Sequence, residues 1–347
     1  MKKQLFSVLL FTALVGCNSS ENQKKMTENI DNNPLLIEST LPYGAPDFSK
    51  IKEEHYRPAL LKGMALQNER IVAITSNKEA PTFENTIVAL EKSGVELERA
   101  SAVFNALTEA HTNDTLKVLQ KELSPKFAEH ADGIHLNEKL FARIKALYDK
   151  RESLQLDAES LKLLENYYED FEVAGANLSA ADKETLKKYN SELASLETDF
   201  NQTLLEGSLA AAQTINGQKV AIVNTTQQPL LSELADRNAR KQLFEASWNR
   251  TDGGAHNTND ILKRIALLRA KKAELLGFKN YAEWSLQRTM AKTPAAIAQF
   301  FKDLVPASVG KAKAEAKEIQ AQIAKTGGNF TLEPYDWNFY AEQVRKA

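Results

Sequence analysis

The region between Lys126 and Gln228 contains no proline, so no residue in it prevents a long helix. Within this region, apolar residues recur at spacings of three and four: Leu186, Tyr189, Leu193, Leu196, Phe200 and Leu204. This spacing places the side chains on one narrow face of a helix, as in a helical hairpin or a coiled coil. The pattern predicts a helix from about Ser179, as N-cap, to Glu206, with Gly207 ending it.

Apolar periodicity on both sides of this helix predicts a mainly α chain. Before it, we expect helices from Pro58 to about Asn77, after Thr82, and over residues 116–127 and 140–147. After it, we expect helices over residues 230–248, 260–276, 280–286, 294–305 and 307–325. The one good strand candidate is Lys219–Asn224, a minor β element whose pairing partner the sequence does not reveal.

Composition narrows the class of protein. The chain has 347 residues, of which 43% are hydrophobic and 26% charged, as is typical of a soluble globular protein. Its net charge of −2, from 44 basic and 46 acidic residues, lacks the excess positive charge of a nucleic-acid-binding protein. We therefore expect no nucleic-acid partner. The single cysteine excludes an intramolecular disulfide and a cysteine-rich zinc module.

The first residues predict export from the cytoplasm. Two lysines precede the apolar run 5–15, which is too short to span a bilayer and is typical of a secretory signal. The run ends in Leu14-Val15-Gly16-Cys17, which resembles the lipobox of bacterial lipoproteins, where the cysteine carries lipid. We expect a lipoprotein signal peptide at residues 1–16, lipidation at Cys17 and a flexible tether at 17–33. A plain signal peptide with an incidental cysteine is the alternative.

The lipobox resemblance also implies a location. It implies a chain held by a lipid anchor in the bacterial cell envelope, with the membrane as a partner through Cys17. Asn18 follows the cysteine, and by resemblance to enterobacterial sorting this residue favours the outer membrane.

No catalytic motif appears in the residues themselves. None of the five histidines is followed by glutamate, so the zinc motif His-Glu-x-x-His is absent. The nucleophile elbow, the P-loop and the dinucleotide-binding glycine motif are absent as well. The residues therefore assign no catalytic and no metal-binding position.

Two weaker histidine groups have simpler structural explanations. His130 and His135 are five residues apart, which on a helix places them off one face, so surface histidines are favoured over a metal pair. His256 with Asp252 and Asp260 brackets a Gly-Gly loop. A loop connecting two helices is favoured there over an ion site.

Arginines and aromatic residues near the C-terminal end also have two readings. Two interpretations explain Arg237, Arg240 and Arg250: an anion site and a salt-bridged helix face. The helix face is favoured. Two interpretations also explain a group of aromatic residues: a stacking platform and a helix start anchored in a core. The residues are Tyr335, Trp337, Phe339 and Tyr340. Because they follow a proline, the anchored helix start is favoured.

Ten segments, in order along the chain, resemble one peptidase family. They are Asn33–Tyr43, His55–Ala59, Pro81–Thr86, Ala89–Gly94, Ala110–Asp114, Ala174–Leu178, Asn224–Pro229, Leu276–Ala282, Met290–Pro294 and Pro334–Arg345. On these segments the chain resembles the thimet oligopeptidase-like zinc metallopeptidases. The most similar branch is the bacterial peptidyl-dipeptidases (Dcp), of which it resembles the N-terminal half.

The resemblance carries expectations about fold and chemistry. It implies two mostly helical domains facing across a deep cleft, with zinc held by His-Glu-x-x-His and a later glutamate. It implies release of C-terminal dipeptides from oligopeptides. The family's zinc-bearing half would follow Ala347, so zinc is expected in the full-length family and not in this chain. Residues 34–347 would form the helical N-terminal region, with the segment Glu206–Lys219 shorter than usual.

The sequence leaves functions of different classes open. The leading hypothesis is the N-terminal portion of a lipid-anchored zinc peptidyl-dipeptidase, inactive alone, that acts on oligopeptides when completed by the other half. The alternative is a non-catalytic, membrane-tethered peptide-binding or scaffold protein derived from such an enzyme. A third reading is an interrupted gene without function.

Overall fold

A computed structural model describes residues 32–347. The predicted signal peptide, Cys17 and all but the end of the predicted tether lie outside the described residues. The described part is mainly α, as predicted, with one small two-stranded sheet. It divides into a first unit, up to Leu119 plus Glu138–Tyr168, and a second unit, Gln120–Asn137 plus Glu169–Ala347. In residues 32–347, no helix has the length and apolar character needed to cross a membrane.

The elements from the N-terminal side up to Ala174 are helical. They are α1 (Glu53–Ser76), a π-helical segment (Phe83–Val88), α2 (Ala89–Glu91), α3 (Val95–Ala110), α4 (Asp114–His135), α5 (Glu138–Tyr148) and α6 (Ala158–Ala174), with 3-10 turns at Pro42–Gly44, Lys92–Gly94 and Arg151–Ser153. Helix α1 packs along α3. A Cβ atom on Gly63 would lie 2.7 Å from the Cα of Leu97, so glycine permits this close approach.

Helix α1 begins earlier than predicted. It starts at Glu53, because the backbone N–H of Lys52 donates to Nδ1 of His55 over 3.1 Å and closes a capping arrangement. Pro58 therefore lies inside the helix rather than at its start.

The buried side chain of Arg143 fixes the segment that leads into the π-helix. From α5 it donates to the carbonyl oxygens of Asn77 and Glu79 over 3.1 and 3.2 Å. It also donates to Oδ1 of Asn85 over 2.8 Å and to Oγ1 of Thr86 over 3.3 Å. A buried charge is tolerated when its donors are satisfied in this way.

The second unit contains the long helix predicted from the apolar spacing. Its elements after residue 174 are α7 (Ala180–Ala210), β1 (Gln213–Ile215), β2 (Gln218–Val220), α8 (Asn224–Glu233), α9 (Arg237–Trp248), α10 (Asn259–Leu275), α11 (Tyr281–Ser285), α12 (Pro294–Lys325) and α13 (Trp337–Lys346), with 3-10 turns at Gly254–His256 and Pro334–Asp336. Ser179 caps α7 as predicted. Leu193 packs with Ile265 and Leu268 of α10, so the apolar face forms the seam between α7 and α10.

Gly207 does not end α7, which continues to Ala210. A Cβ atom at Gly207 would lie 2.6 Å from Cγ2 of Thr251 and 2.9 Å from the carbonyl oxygen of Arg250. Glycine is needed there because the segment after α9 approaches the helix closely.

The β element is a hairpin that lies earlier than the predicted strand. Strands β1 and β2 pair antiparallel, with Ile215 opposite Gln218. Asn216 and Gly217 form the turn with positive φ angles of 51° and 80°, the geometry that a two-residue hairpin loop requires. Of the predicted strand 219–224, residues 219–220 lie in β2, and α8 begins at Asn224.

Two other predicted helix boundaries are wrong. The predicted helix 230–248 is two helices, because the side chain of Asp236 accepts from the N–H of Asn238 and starts α9 anew. The predicted helices 294–305 and 307–325 are one, α12, with Pro306 inside. Pro306 lies on an exposed stretch, where water can bind the carbonyl group that the proline leaves without a partner.

Candidate functional site

His130 and His135 both lie on α4, but they have different surroundings. Burial lowers the pKa of His130. His135 places Nδ1 2.9 Å from the carbonyl oxygen of Ala131, and its ring centroid lies 5.2 Å from that of Phe171. In residues 32–347, no group of three or more His, Cys, Asp or Glu side chains is arranged to hold a metal ion. The described residues therefore do not fit the zinc that the family resemblance implies.

The second histidine group is not brought together either. Nδ1 of His256 lies 4.0 Å from Oε2 of Glu206. Asp252 instead accepts from the side-chain amide of Asn259, and Asp260 pairs with Lys263. The Gly-Gly segment is a connection between α9 and α10, as the loop reading predicted.

Two of the three arginines bind a carboxylate of their own chain. Asp336 is fully buried and accepts from Nη2 of Arg237 over 2.8 Å and from Nη2 of Arg240 over 2.9 Å. The backbone N–H of Glu333 donates to the same carboxylate over 3.2 Å. Burial raises the pKa of Asp336, but the hydrogen bonds from Arg237 and Arg240 lower it by more. The pKa of Asp336 therefore lies below its ordinary value.

The aromatic residues near the C-terminal end surround these arginines. The guanidinium of Arg240 lies 4.4 Å from the ring centroid of Phe339, and that of Arg237 lies 5.1 Å from that of Tyr335. Tyr340 is buried against Ile319 of α12. These contacts anchor α13 in a core, which is the interpretation that the sequence favoured.

An exposed tryptophan marks the best candidate site. Trp248, at the end of α9, is 74% exposed and lies with its ring centroid 5.7 Å from that of Phe244. It lines two cavities. The first has a volume of about 480 Å³ and is mainly apolar, with walls formed by Phe244, Leu332, Glu333, Pro334, Trp337 and Asn338.

The second cavity at Trp248 is polar. It has a volume of about 390 Å³ and is lined by Leu204, Asn224, Gln227, Gln228, Ser247, Arg250 and Thr251. We call the two cavities with Trp248 the Trp248 groove. Oε1 of the buried Gln227 and Nε of Arg250 have no hydrogen-bond partner in the described part of the chain. Nη1 of Arg250 donates to the carbonyl oxygen of Ser247 over 2.7 Å.

Helix α8 adds positive polarity to the polar cavity. Asn224 is its first residue and lines the cavity, and its N-cap, Val223, has no side chain able to accept from the first turn. The unbonded N–H groups of a helix start favour an anion. Together with the guanidinium of Arg250, they suit a carboxylate, while side-chain amides suit peptide groups.

The residues that line the Trp248 groove offer hydrogen-bond donors, hydrogen-bond acceptors and apolar surface. Its lining contains no cysteine or histidine, and no pair of carboxylates that might act as acid and base. The sequence did not predict Trp248 or Gln227 as site residues. The segment Asn224–Pro229 stood out only through its resemblance to a family, and nothing local indicated that Trp248 would stay exposed.

Comparison with known proteins identifies the relatives. Residues 230–347 match the profile of Peptidase family M3. The chain is 44% identical to the dipeptidyl carboxypeptidase of Escherichia coli (strain K12) over 342 residues, which covers 90% of this chain and 50% of that protein. The chain is similar to members of peptidase family M3. It is also 25% identical to oligopeptidase A of Haemophilus influenzae over 345 residues, with the same two coverages of 90% and 50%.

The relatives confirm the resemblance to peptidases of this family. A shorter match, of 119 residues at 40% identity, joins 34% of this chain to 14% of the mitochondrial intermediate peptidase of Neurospora crassa. The chain spans half the length of the bacterial relatives it matches.

Proposed function

We propose that this chain is the substrate-binding portion of a zinc peptidyl-dipeptidase, an enzyme that releases dipeptides from the C-terminus of oligopeptides. The observation that supports this best is the 44% identity to a dipeptidyl carboxypeptidase over 90% of the chain. Because residues 32–347 contain no metal-binding cluster and the sequence lacks His-Glu-x-x-His, the zinc-bearing polypeptide lies outside these residues in this proposal. The chain alone binds peptides without cleaving them.

In this proposal the Trp248 groove receives the C-terminal end of a peptide. The free carboxylate pairs with Arg250 and the start of α8, and Gln227 and Gln228 bind peptide groups. An apolar side chain packs against Trp248 and enters the cavity beside Phe244. Preformed concave sites with an apolar body and a few polar groups are the usual form of small-ligand sites.

Binding of a labelled tetrapeptide that ends in phenylalanine tests this groove. We expect Arg250→Met to weaken binding about tenfold or more, since a hydrogen bond to a charged group contributes roughly 1.5–3 kcal/mol. Converting the peptide's carboxylate to an amide should cause a similar loss in the unsubstituted chain and little further loss in Arg250→Met. Fluorescence anisotropy measures both.

Arg345→Met is the matched control, because Arg345 is exposed and pairs with Glu342 near the end of α13, away from the groove lining. It should leave peptide binding unchanged. Equal binding of the acid and the amide by a folded chain, together with an unchanged affinity in Arg250→Met, would remove the groove from the proposal.

The groove also fits the alternative function, a membrane-tethered peptide-binding protein without catalysis. The observation in its favour is that the groove lining offers hydrogen-bonding groups and apolar surface for a peptide and contains no pair of carboxylates. Peptide binding alone supports both functions. The two functions are distinguished by whether the chain supports dipeptide release when it is joined to a zinc-bearing half.

We further propose that Cys17 carries a lipid and holds the chain at the outer membrane of a bacterial envelope. The lipobox pattern ending at Cys17 supports this. In a bacterial host, Cys17→Ser should abolish incorporation of radioactive palmitate and move the protein from the membrane to the soluble fraction. Ser19→Ala, two residues away, should change neither. Membrane association that survives Cys17→Ser without a label would contradict the anchor.

A further inference from the structure

The first two thirds of α12 carry large apolar side chains that are exposed. Phe300 and Phe301 are 57% and 53% exposed, and Leu304, Val305 and Val309 are between 44% and 46% exposed. We call these five residues the α12 ridge. Phe300 and Leu304 lie four residues apart, as do Phe301, Val305 and Val309. The two rows are adjacent and cover about half of the helix surface, with Asp303 on the other half. Every residue from 298 to 314 is exposed.

The same helix is firmly built at both ends. Thr293 caps its start, accepting from the N–H of Ala296 over 3.2 Å. At its other end, Ile319 and Ile323 are buried against Tyr340. The ridge is therefore part of a complete helix rather than a frayed end. Helices in water depend on tertiary packing of an apolar face, and an exposed apolar patch of this kind marks an interaction surface.

We propose that the α12 ridge is the docking surface for the zinc-bearing polypeptide of the peptidase, an inference that rests on the proposed function. The ridge lies inside residues 230–347, the region that matches the family M3 profile. The alignment covers 90% of this chain but only 50% of the dipeptidyl carboxypeptidase. Half of that relative therefore has no counterpart in this chain, and permanent interfaces are the ones that bury apolar surface of this kind.

A chimera tests the ridge directly. Residues 34–347 replace the matched half of the E. coli dipeptidyl carboxypeptidase, which keeps its own remaining half. Leu304→Cys is introduced into this chimera and, with Cys17→Ser, into the chain alone. Alkylation by iodoacetamide is followed by peptide mass mapping. We expect the introduced cysteine to react at least tenfold more slowly in the chimera than in the chain alone.

Val118→Cys is the matched control, because Val118 is an exposed apolar residue of α4 that lies in the first unit, at 66% exposure. It should react at the same rate in both proteins. A second variant gives an independent readout. Phe301→Asp should leave the unfolding midpoint of the chain alone unchanged and should lower that of the chimera. Val118→Asp should leave both midpoints unchanged.

The outcomes separate the docking surface from the proposed function. Equal reactivity of Leu304→Cys in the chain and in a folded chimera would overturn the docking surface. Protection in the chain alone that grows with protein concentration would overturn it in favour of a second copy of this chain. Protection in a folded, zinc-loaded chimera that releases no dipeptide would support the docking surface and contradict the proposed function.

Discussion

Replacing Asp336 with asparagine is expected to lower the unfolding free energy of the second unit by about 3–5 kcal/mol, the usual cost of leaving a buried charge unpaired. Arg240 is only 1% exposed and donates to Asp336 over 2.9 Å. Its other bonds go to the carbonyl oxygens of Leu234 and Ala235, which are neutral. Without the carboxylate, no group within these contacts neutralises its charge.

Urea unfolding followed by tryptophan fluorescence measures this effect. All three tryptophans, Trp248, Trp284 and Trp337, belong to the second unit, so the signal reports on that unit. Glu342→Gln is the control, because Glu342 forms ion pairs with Arg345 and Lys346 at the exposed end of α13. Exposed pairs contribute little, so the midpoint should barely move. An unchanged midpoint in Asp336→Asn would show that the carboxylate is not needed to hold Arg240.

Acid unfolding offers a second test of the same carboxylate. The pKa of Asp336 is lower in the folded chain than its ordinary value of 3.8. Its contribution to stability is therefore complete above about pH 3.8 and is lost as the pH falls through the folded-state pKa. The free energy of unfolding should therefore fall less between pH 5 and pH 3 in Asp336→Asn than in the unsubstituted chain. Urea midpoints at the two pH values measure this difference.

Local patterns predicted the second unit well where one helix face decides the packing. The seam through Leu193 followed from apolar spacing alone, because every residue of that face lies within one helix. The predicted end of the same helix was wrong, because Gly207 permits the close approach of Arg250 and Thr251, which lie more than forty residues later. The hairpin was missed although Asn216-Gly217 is a strong local signal for one.

The candidate site could not be predicted from the sequence, because the residues that form it lie far apart along the chain. The apolar cavity joins Phe244 and Trp248 to residues 332–338, and the Asp336–Arg240 bond spans 96 residues. No spacing rule connects positions so far apart. The exposure of the α12 ridge was equally hidden, because its spacing is that of any helix with one buried face.

The second large effect concerns catalysis. We expect the chain alone to release no dipeptides, because its sequence lacks His-Glu-x-x-His and its described residues contain no metal-binding cluster. The chimera defined above adds the half of the E. coli enzyme that the chain does not match. It should regain dipeptide release, since the chain would then supply the peptide-binding part of a complete enzyme.

The most direct test of this account is the release of C-terminal dipeptides, measured by mass spectrometry with and without a chelator. We expect no release by the chain above the blank. We expect the chimera to release dipeptides, a chelator to abolish this release and added zinc to restore it. Chelator-sensitive release by residues 17–347 alone, or a folded and zinc-loaded chimera that releases none, would contradict it.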